Sequence, residues 1–215
     1  LSQSMLKEDY EIIVVNDGST DETPAIMANY ESDVGGFHHE SNRGLAEACN
    51  TGLNHAKGEY VVRVDSDDWV TADALLTLHK VVSSQRGAEI VLPDYWRIVG
   101  VEHLLQSPSR ENVFTWLACG SMMSKEAVMA AGCYRPLFWE EYDLYIRMLE
   151  QGARVARLPQ ALLCYRTHPE SMTASEGARL DGWRELLRVW PQETLYRWGH
   201  DEELERVFRE RVSAS

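Results

Sequence analysis

The sequence predicts an α/β fold, a mixed and mainly parallel Rossmann-like sheet flanked by helices. Three observations carry this. Glu11-Ile12-Ile13-Val14-Val15 is an almost continuous apolar run that stops at Asn16-Asp17-Gly18, the pattern of a strand covered on both faces. Tyr60–Val64 repeats the pattern and stops at Asp65-Ser66-Asp67-Asp68. Between and after these runs lie stretches with helical spacing, and strand–helix alternation at short intervals implies parallel pairing through right-handed crossovers. Both apolar runs end in acids, and in open α/β sheets ligands bind at the carboxyl ends of the strands.

The elements follow in order. Leu1–Ser4 reads as the end of a helix, and Glu11–Val15 is the first strand. Gly18 permits a tight turn, and Pro24 suits the first turn of a helix over Thr23–Tyr30. Gly36–Glu40 is a short strand. The helix Leu45–Ala56 has Leu45, Ala48, Cys49 and Leu53 at helical spacing and ends at Gly58. After the strand Tyr60–Val64 come a helix over Ala72–Ser84 and a strand over Ala88–Leu92. Tyr95–Phe114 has no clear period and reads as a long loop or a strand pair. Lys125–Ala131 is a helix closed by Gly132, and a further helix opens at Phe138-Trp139-Glu140-Glu141-Tyr142-Asp143 and runs to Gln151. Ala153–Arg157 and Leu162–Tyr165 are short strands. Asp181–Trp190 and Asp201–Val212 are charged amphipathic helices separated by Pro191. Trp183, Trp190 and Trp198 would pack them onto the main body.

Composition bounds the function. The 215 residues are 44% hydrophobic and carry a formal charge of −13, enough for a core and unsuited to a nucleic-acid surface. No stretch is apolar enough to span a membrane and no secretory signal is visible. Peripheral membrane association of the amphipathic tail is the lesser reading of that segment. Cys49, Cys119, Cys133 and Cys164 form no CxxC pair, which favours a reduced, cytoplasmic chain.

Asp65 and Asp67 have period-two spacing, so an extended backbone would turn both the same way. Two such carboxylates repel unless a cation lies between them, and hard oxygen ligands favour Mg²⁺ or Mn²⁺, which in turn grips a diphosphate. The plainer reading is an acidic turn capping the next helix. Asp17 likewise serves either its turn or a ligand, and Glu140 and Glu141 suit a helix N-terminus on dipole grounds alone. Trp139 suits stacking on a ligand ring or a core position equally.

Taken together, Ile12–Asp21, Asn42-Arg43-Gly44-Leu45 with Asn50-Thr51-Gly52, Gly58-Glu59-Tyr60 into Val64–Asp68, Glu140–Leu144 with Arg147, and Tyr165-Arg166-Thr167-His168 with Ser171 resemble the family 2 glycosyltransferases, inverting enzymes of the GT-A fold. The resemblance spans about residues 1–175, expected to form the transferase domain, with 176–215 a helical C-terminal extension. It implies a nucleotide-sugar site at Asp17, Arg43, Asp65, Ser66 and Asp67. It implies a metal, Mn²⁺ or Mg²⁺, at Asp67, Asp65 and His168, and a general base at Glu141 or its neighbour Glu140. The donor it implies is a nucleotide sugar, with UDP favoured, and the acceptor a hydroxyl in polysaccharide or glycan assembly. The chemistry agrees with these residue types: a metal stabilises the departing diphosphate, and a carboxylate takes the acceptor proton.

Three departures from the family pattern stand out. Glu141 occupies the place of the usual aspartate, with Glu140 and Asp143 as substitutes for its role. Cys49 stands where many relatives have arginine, for which Arg43 could compensate. The family's central opening strand is missing, for which N-terminal truncation is the favoured explanation. Two rivals remain: an impaired transferase-like nucleotide-binding or interaction module, and a nucleotidyltransferase, which should carry a glycine-rich basic loop near its start.

Overall fold

The computed structural model describes residues 3–85 and 87–213. Its elements are β1 (Ile13–Asn16), α1 (Thr23–Ala28), β2 (Gly35–His38), α2 (Leu45–His55), β3 (Tyr60–Val62), β4 (Trp69–Val70), α3 (Ala74–Ser84), β5 (Ile90–Val99), β6 (Glu102–Gln106), β7 (Met122–Ser124), α4 (Lys125–Ala130), α5 (Glu140–Glu150), β8 (Val155–Thr167), α6 (Glu176–Val189), α7 (Gln192–Trp198) and α8 (Glu202–Ser213). The expected helices and strands are all present within a few residues, except where long-range pairing decides them.

The strands form two sheets. β1 and β2 pair in parallel by themselves, and a larger sheet runs β3-β7-β5-β8-β4, with β6 on β5. The sheet is mixed, as expected, but only β1–β2 and β5–β8 are parallel; β3–β7, β5–β7, β4–β8 and β5–β6 are antiparallel. β6 follows β5 through a two-residue hairpin, which makes that pair antiparallel, while the other antiparallel pairs join strands that do not follow one another in the chain. Tyr95–Phe114 therefore contains a strand pair. Its turn is at Gly100, whose φ of +59° suits the left-handed first position of a two-residue hairpin. The two short strands expected after Ala153 are one strand, β8, whose register against β5 shifts near Pro93 and Asp94.

Between β1 and β3 the sheet is broken: among the described residues neither strand pairs on its facing side. This is where the family's opening strand was expected. The burial pattern records the gap, since Ile13, Val14, Val15, Tyr60, Val61 and Val62 are only half-buried although their run of apolar types suits a doubly covered strand. α2 holds the two sheets together. Its Ala46 and Leu53 enter the main core, while Gly52 faces Val15 of β1, where a Cβ would make an ordinary contact at 3.7 Å. Leu45, assigned to the apolar face from spacing, is exposed. Beside α2, the Glu11 carboxylate accepts from the amides of Lys57 and Gly58 at 2.5 and 3.1 Å. The expected helical end at the N-terminus is instead a strap. The Ser4 amide donates to the Ala72 carbonyl at 2.7 Å and the Gln3 side chain accepts from the Leu75 amide at 3.1 Å, capping α3. Leu1 and Ser2 lie outside the described residues.

The helical C-terminal segment shares the main hydrophobic core. Leu180, Trp183, Leu186, Leu187, Leu195, Leu204, Val207 and Phe208 join Ile90, Leu92, Met123 and the buried face of α5 in one cluster. Trp183 packs edge-on to Phe114 at 5.0 Å and stacks on Tyr142 at 5.7 Å between ring centroids. Trp139 lies in the same cluster, 6% exposed, so of its two readings the structure takes the core position. None of the helices among the described residues is long and apolar enough to cross a membrane.

Because Trp183 is 1% exposed and bridges the tail to α5, Trp183→Ala should cost about 3–5 kcal/mol. A shift in the urea midpoint at unchanged slope checks this; a loss below about 1 kcal/mol would mean that the tail is not part of the cooperative core.

Candidate active site

The loop after β1 turns at Gly18 (φ +75°), whose missing Cβ would lie 2.4 Å from the Asn42 nitrogen. That contact brings the Asn42-Arg43-Gly44 turn against Asp17. The Asp17 carboxylate accepts from the amides of Arg43 at 2.9 Å and Gly44 at 2.8 Å, and meets His39 Nδ1 at 2.6 Å. His39 Nε2 in turn contacts the Thr51 hydroxyl at 2.9 Å. Burial alone would raise the Asp17 pKa, but the bonds from His39, Arg43 and Gly44 outweigh it and hold the carboxyl below its ordinary value. Asp17 thus organises the loop whatever else it binds. Arg43 extends into solvent and pairs with Glu47 one turn on, at 3.0 Å.

The acids after β3 separate rather than align. The extended backbone ends before them, and the Asp68 amide closes a turn on the Asp65 carbonyl at 3.0 Å. Period-two spacing therefore does not hold across Asp65–Asp67, and each acid finds a different partner. Asp65 takes both arms of Arg63, Nε to Oδ1 at 2.6 Å and Nη2 to Oδ2 at 2.8 Å. Ser66 is exposed at the turn. Asp67 meets His168 Nε2 at 2.9 Å, and the His168 amide donates to the Ser171 hydroxyl at 3.1 Å. Asp68 accepts from the Arg166 amide at 2.8 Å and the Cys119 thiol at 3.2 Å.

Two donor sets could take a cation. Asp65, Asp68 and Cys119 lie within 4.8 Å of one another, but both oxygens of Asp65 serve Arg63 and those of Asp68 serve Arg166 and Cys119. Burial and the neighbouring carboxylates push the Cys119 thiol up, so it stays protonated and suits a hard divalent ion poorly. Asp67 and His168 are each about one-third exposed and offer one oxygen and one nitrogen at an open edge. The chemistry of their donors fits Mn²⁺ or Mg²⁺ better, with further positions left for diphosphate and water.

Glu140 and Glu141 open α5. Glu140, 2% exposed at its side chain, accepts from Arg63 Nη1 at 2.9 Å. Glu141 is half-buried, and burial first, then the charge of Glu140 and a hydrogen bond with it, raise its pKa well above the ordinary carboxylate value; Arg63 offsets only part of this. Asp143, the other substitute for the base, is fully buried and saturated. It accepts from Arg147 Nε at 2.9 Å and Nη2 at 2.8 Å and from Trp190 Nε1 at 2.9 Å, so it holds structure together. Cys49 faces the same group of charges, and burial pushes its thiol up to about 12. The cation beside it is Arg63 and not the surface residue Arg43.

Sequence reasoning missed Arg63 and His39. Arg63 stands two residues before Asp65, a spacing that puts two side chains on one side where a segment is extended, and that spacing is the one signal that could have singled it out. His39 has no local signal: its partners Asp17 and Thr51 are brought to it by the β1–β2 pairing and by α2.

A split α/β sheet with acids gathered at strand ends, an oxygen–nitrogen pair open to solvent and a carboxyl pair across a shared arginine belongs to the class of α/β proteins whose ligands bind at the carboxyl edge of the sheet. The family described as Glycosyl transferase family 2 matches residues 1–137. This chain belongs to that family. Glycosyltransferase GlyA of Streptococcus pneumoniae serotype 4 (strain ATCC BAA-334 / TIGR4) is 44% identical over 88 residues, 40% of this chain and 12% of that relative, so the chain spans only a small part of that relative's length. Two solved structures share the fold. S. aureus TarS 1-349 in complex with UDP-GlcNAc superposes with a TM-score of 0.69 at 18% identity, covering 100% of this chain and 67% of that one. The mannosyltransferase PcManGT from Pyrobaculum calidifontis, in complex with GDP-Man and Mn²⁺, gives 0.68 at 18% identity over 99% and 68%. The fold is thus the GT-A type expected.

The lowered pKa of Asp17 makes a stability prediction with a definite sign. A depressed folded-state pKa stabilises the protein above the ordinary value of 3.8, and that contribution disappears as pH falls through the still lower folded value. Asp17→Asn should therefore cost about 1–3 kcal/mol at pH 7, and urea melts of variant and wild type should converge below pH 4. A pH-independent difference would refute the assignment.

Proposed function

We propose that this chain transfers a sugar, with inversion, from a nucleotide-diphosphate sugar to an acceptor hydroxyl of a glycan. The observation that carries this is the Arg63 bridge, which ties the acid turn after β3 (Asp65) to Glu140, the neighbour of Glu141 at the start of α5. Donor-side and acceptor-side groups thereby sit against one another, as a single displacement requires.

In this reading Asp67 and His168 hold Mn²⁺ or Mg²⁺, which when bound stabilises the charge growing on the departing diphosphate. Asp65 and the exposed Ser66 bind the donor nucleotide, and the Asp17 loop with Arg43 closes the far side of the donor pocket. Glu141 accepts the acceptor's proton: its pKa is raised by burial and by Glu140, which makes a carboxylate a more effective base near neutrality. Glu140, paired to Arg63, sets the position of its neighbour. A UDP-sugar is the favoured donor, supported by the UDP-GlcNAc bound to TarS; the GDP-Man and Mn²⁺ bound to PcManGT support the metal and keep GDP as the second candidate. Four free cysteines accord with a reducing, cytoplasmic setting. The break between β1 and β3 favours one other reading, a module that binds nucleotide without turnover.

Titration of UDP and then GDP, with and without Mn²⁺, separates these. Binding should require the metal and weaken at least tenfold in Asp67→Ala and in His168→Ala, about 1.4 kcal/mol or more. Glu141→Gln should bind like wild type while transfer falls roughly 10²–10⁴-fold. Metal-dependent binding with no transfer to any glycan would favour the binding module, and no nucleotide binding at all would sink both readings. For the transfer reaction, kcat/KM should rise with pH along a limb set above the ordinary glutamate value, because the base acts only when deprotonated. A limb at or below that ordinary value would remove Glu141 from the role.

A further inference from the structure

We infer that Tyr165 and Arg97, side by side on β8 and β5, form the acceptor subsite and select a saccharide that carries an anionic group. The inference rests on the transfer reading above, since it names the class of acceptor that Glu141 would deprotonate.

β5 and β8 run parallel, and their register sets Arg97 opposite Tyr165 and Tyr95 opposite Leu163. Residues opposite each other share a face of the sheet, as do residues two apart along a strand. Tyr95, Arg97 and Tyr165 therefore stand on one face, joined from β6 by the exposed Leu104, the partner of Arg97. Tyr165 brings that face to the candidate base. Burial first, then the charges of Asp68, Glu141 and Asp65, raise its pKa against a bond with Thr173, so its hydroxyl lies within reach of these acids. Tyr95 meets the Tyr165 ring edge-on, with centroids 6.3 Å apart and planes at 84°, which fixes its orientation. The Tyr165 ring is half-buried and its open part offers a π surface to the C–H groups of a sugar.

Arg97 supplies a charge. It is exposed, and among the described residues its guanidinium bonds to the Thr167 hydroxyl at 3.3 Å and pairs with no carboxylate. In a chain of formal charge −13, exposed arginines elsewhere do find one: Arg43 takes Glu47, Arg154 takes Glu89, Arg197 takes Glu150 and Arg206 takes Glu176. Arg110, Arg166 and Arg188 lack one too, but Arg166 lies opposite Ile98 on the other face, Arg110 lies beyond β6 and Arg188 on α6. A guanidinium left open beside an aromatic ring suits a phosphate or carboxylate, which its planar fork can hold with two bonds. The ring carries the sugar next to Glu141 while the arginine fixes its charged substituent.

The test is ligand-observed NMR titration, with UDP and Mn²⁺ present, of methyl glucoside, methyl glucoside 6-phosphate and methyl glucuronide. At least one charged glycoside should bind about fivefold or more tighter than the neutral one, as an ion contact at an open rim provides, and the stronger of the two names the anion. Arg97→Gln should bring the charged glycosides down to the neutral affinity and leave the neutral one within about twofold. Tyr165→Ala should weaken all three about fivefold or more, whereas Tyr165→Phe, which keeps the ring, should not. UDP–Mn²⁺ affinity should stay within about twofold in every variant. Equal binding of charged and neutral glycosides, or a loss in Arg97→Gln shared by the neutral one, would overturn the inference. Inorganic phosphate that binds as tightly as the glucoside phosphate would reduce Arg97 to an ion contact and remove the sugar subsite. Protein that holds UDP–Mn²⁺ but none of the three glycosides would overturn the inference and leave the donor site standing; protein that holds neither would sink the transfer reading beneath it.

Discussion

The buried pair Asp143–Arg147 is the constraint on which the rest of this fold depends. A carboxylate with no exposure survives in a core only when every lone pair is answered, and here the answers come from three segments. Arg147 supplies two bonds from the next turn of α5, Trp190 supplies one from the end of α6, and Arg135 adds one at 3.5 Å from the loop after α4, while Arg147 itself reaches on to the carbonyls of Ala131 and Cys133. Those carbonyls belong to the loop that closes α4, where Cys133 adopts φ +60°, a conformation uncommon outside glycine and stabilised by the arginine that accepts no alternative. Removing one member leaves an uncompensated buried charge, so loop, helix and tail are specified together.

That arrangement matters because α5 carries Glu140 and Glu141 at its first turn. The helix is fixed at its start by the Phe138 amide donating to Glu185 of α6 at 2.7 Å. Further along, the hydroxyls of Tyr142 and Tyr145 donate to the carbonyls of Phe114 and Leu117. With its position set from the tail side, the helix meets β3 across Arg63. Charged groups that a core would normally exclude are thus gathered at one rim, each compensated by a named partner. The exceptions are Glu141, whose raised pKa records incomplete compensation, and the open pair Asp67–His168. A carboxyl such as Glu141, perturbed by burial and by a specific charged neighbour, is the kind of group from which catalytic bases are drawn.

Where local chemistry decided the outcome, it was legible in the chain. The apolar runs at Ile13 and Tyr60, the glycine turn at Gly18 and the amphipathic helices α2, α3 and α8 are consequences of side-chain type and period, and they stand within two residues of where the sequence placed them; α6 begins five residues before the expected Asp181, and α7 was not expected. The acids that end the strands were legible for the same reason. What could not be read locally were pairings made over distance: β4, only two residues long, exists because Trp69 and Val70 lie against Cys164 and Leu163, and the antiparallel direction of β7 depends on neighbours on both sides.

The amino-acid sequence by itself determined the family, the α/β order of elements and the identity of the acids at the strand ends, because these follow from period, turn chemistry and the order and spacing of the motifs. Only the tertiary structure decided what each acid does with its lone pairs. Asp143 became a core strut, Asp65 an arginine partner, Asp67 an open neighbour of His168 and Glu141 a carboxyl of raised pKa. A carboxylate's role is set by which donors surround it and how much water remains, and those donors come from residues up to 101 positions away in the chain.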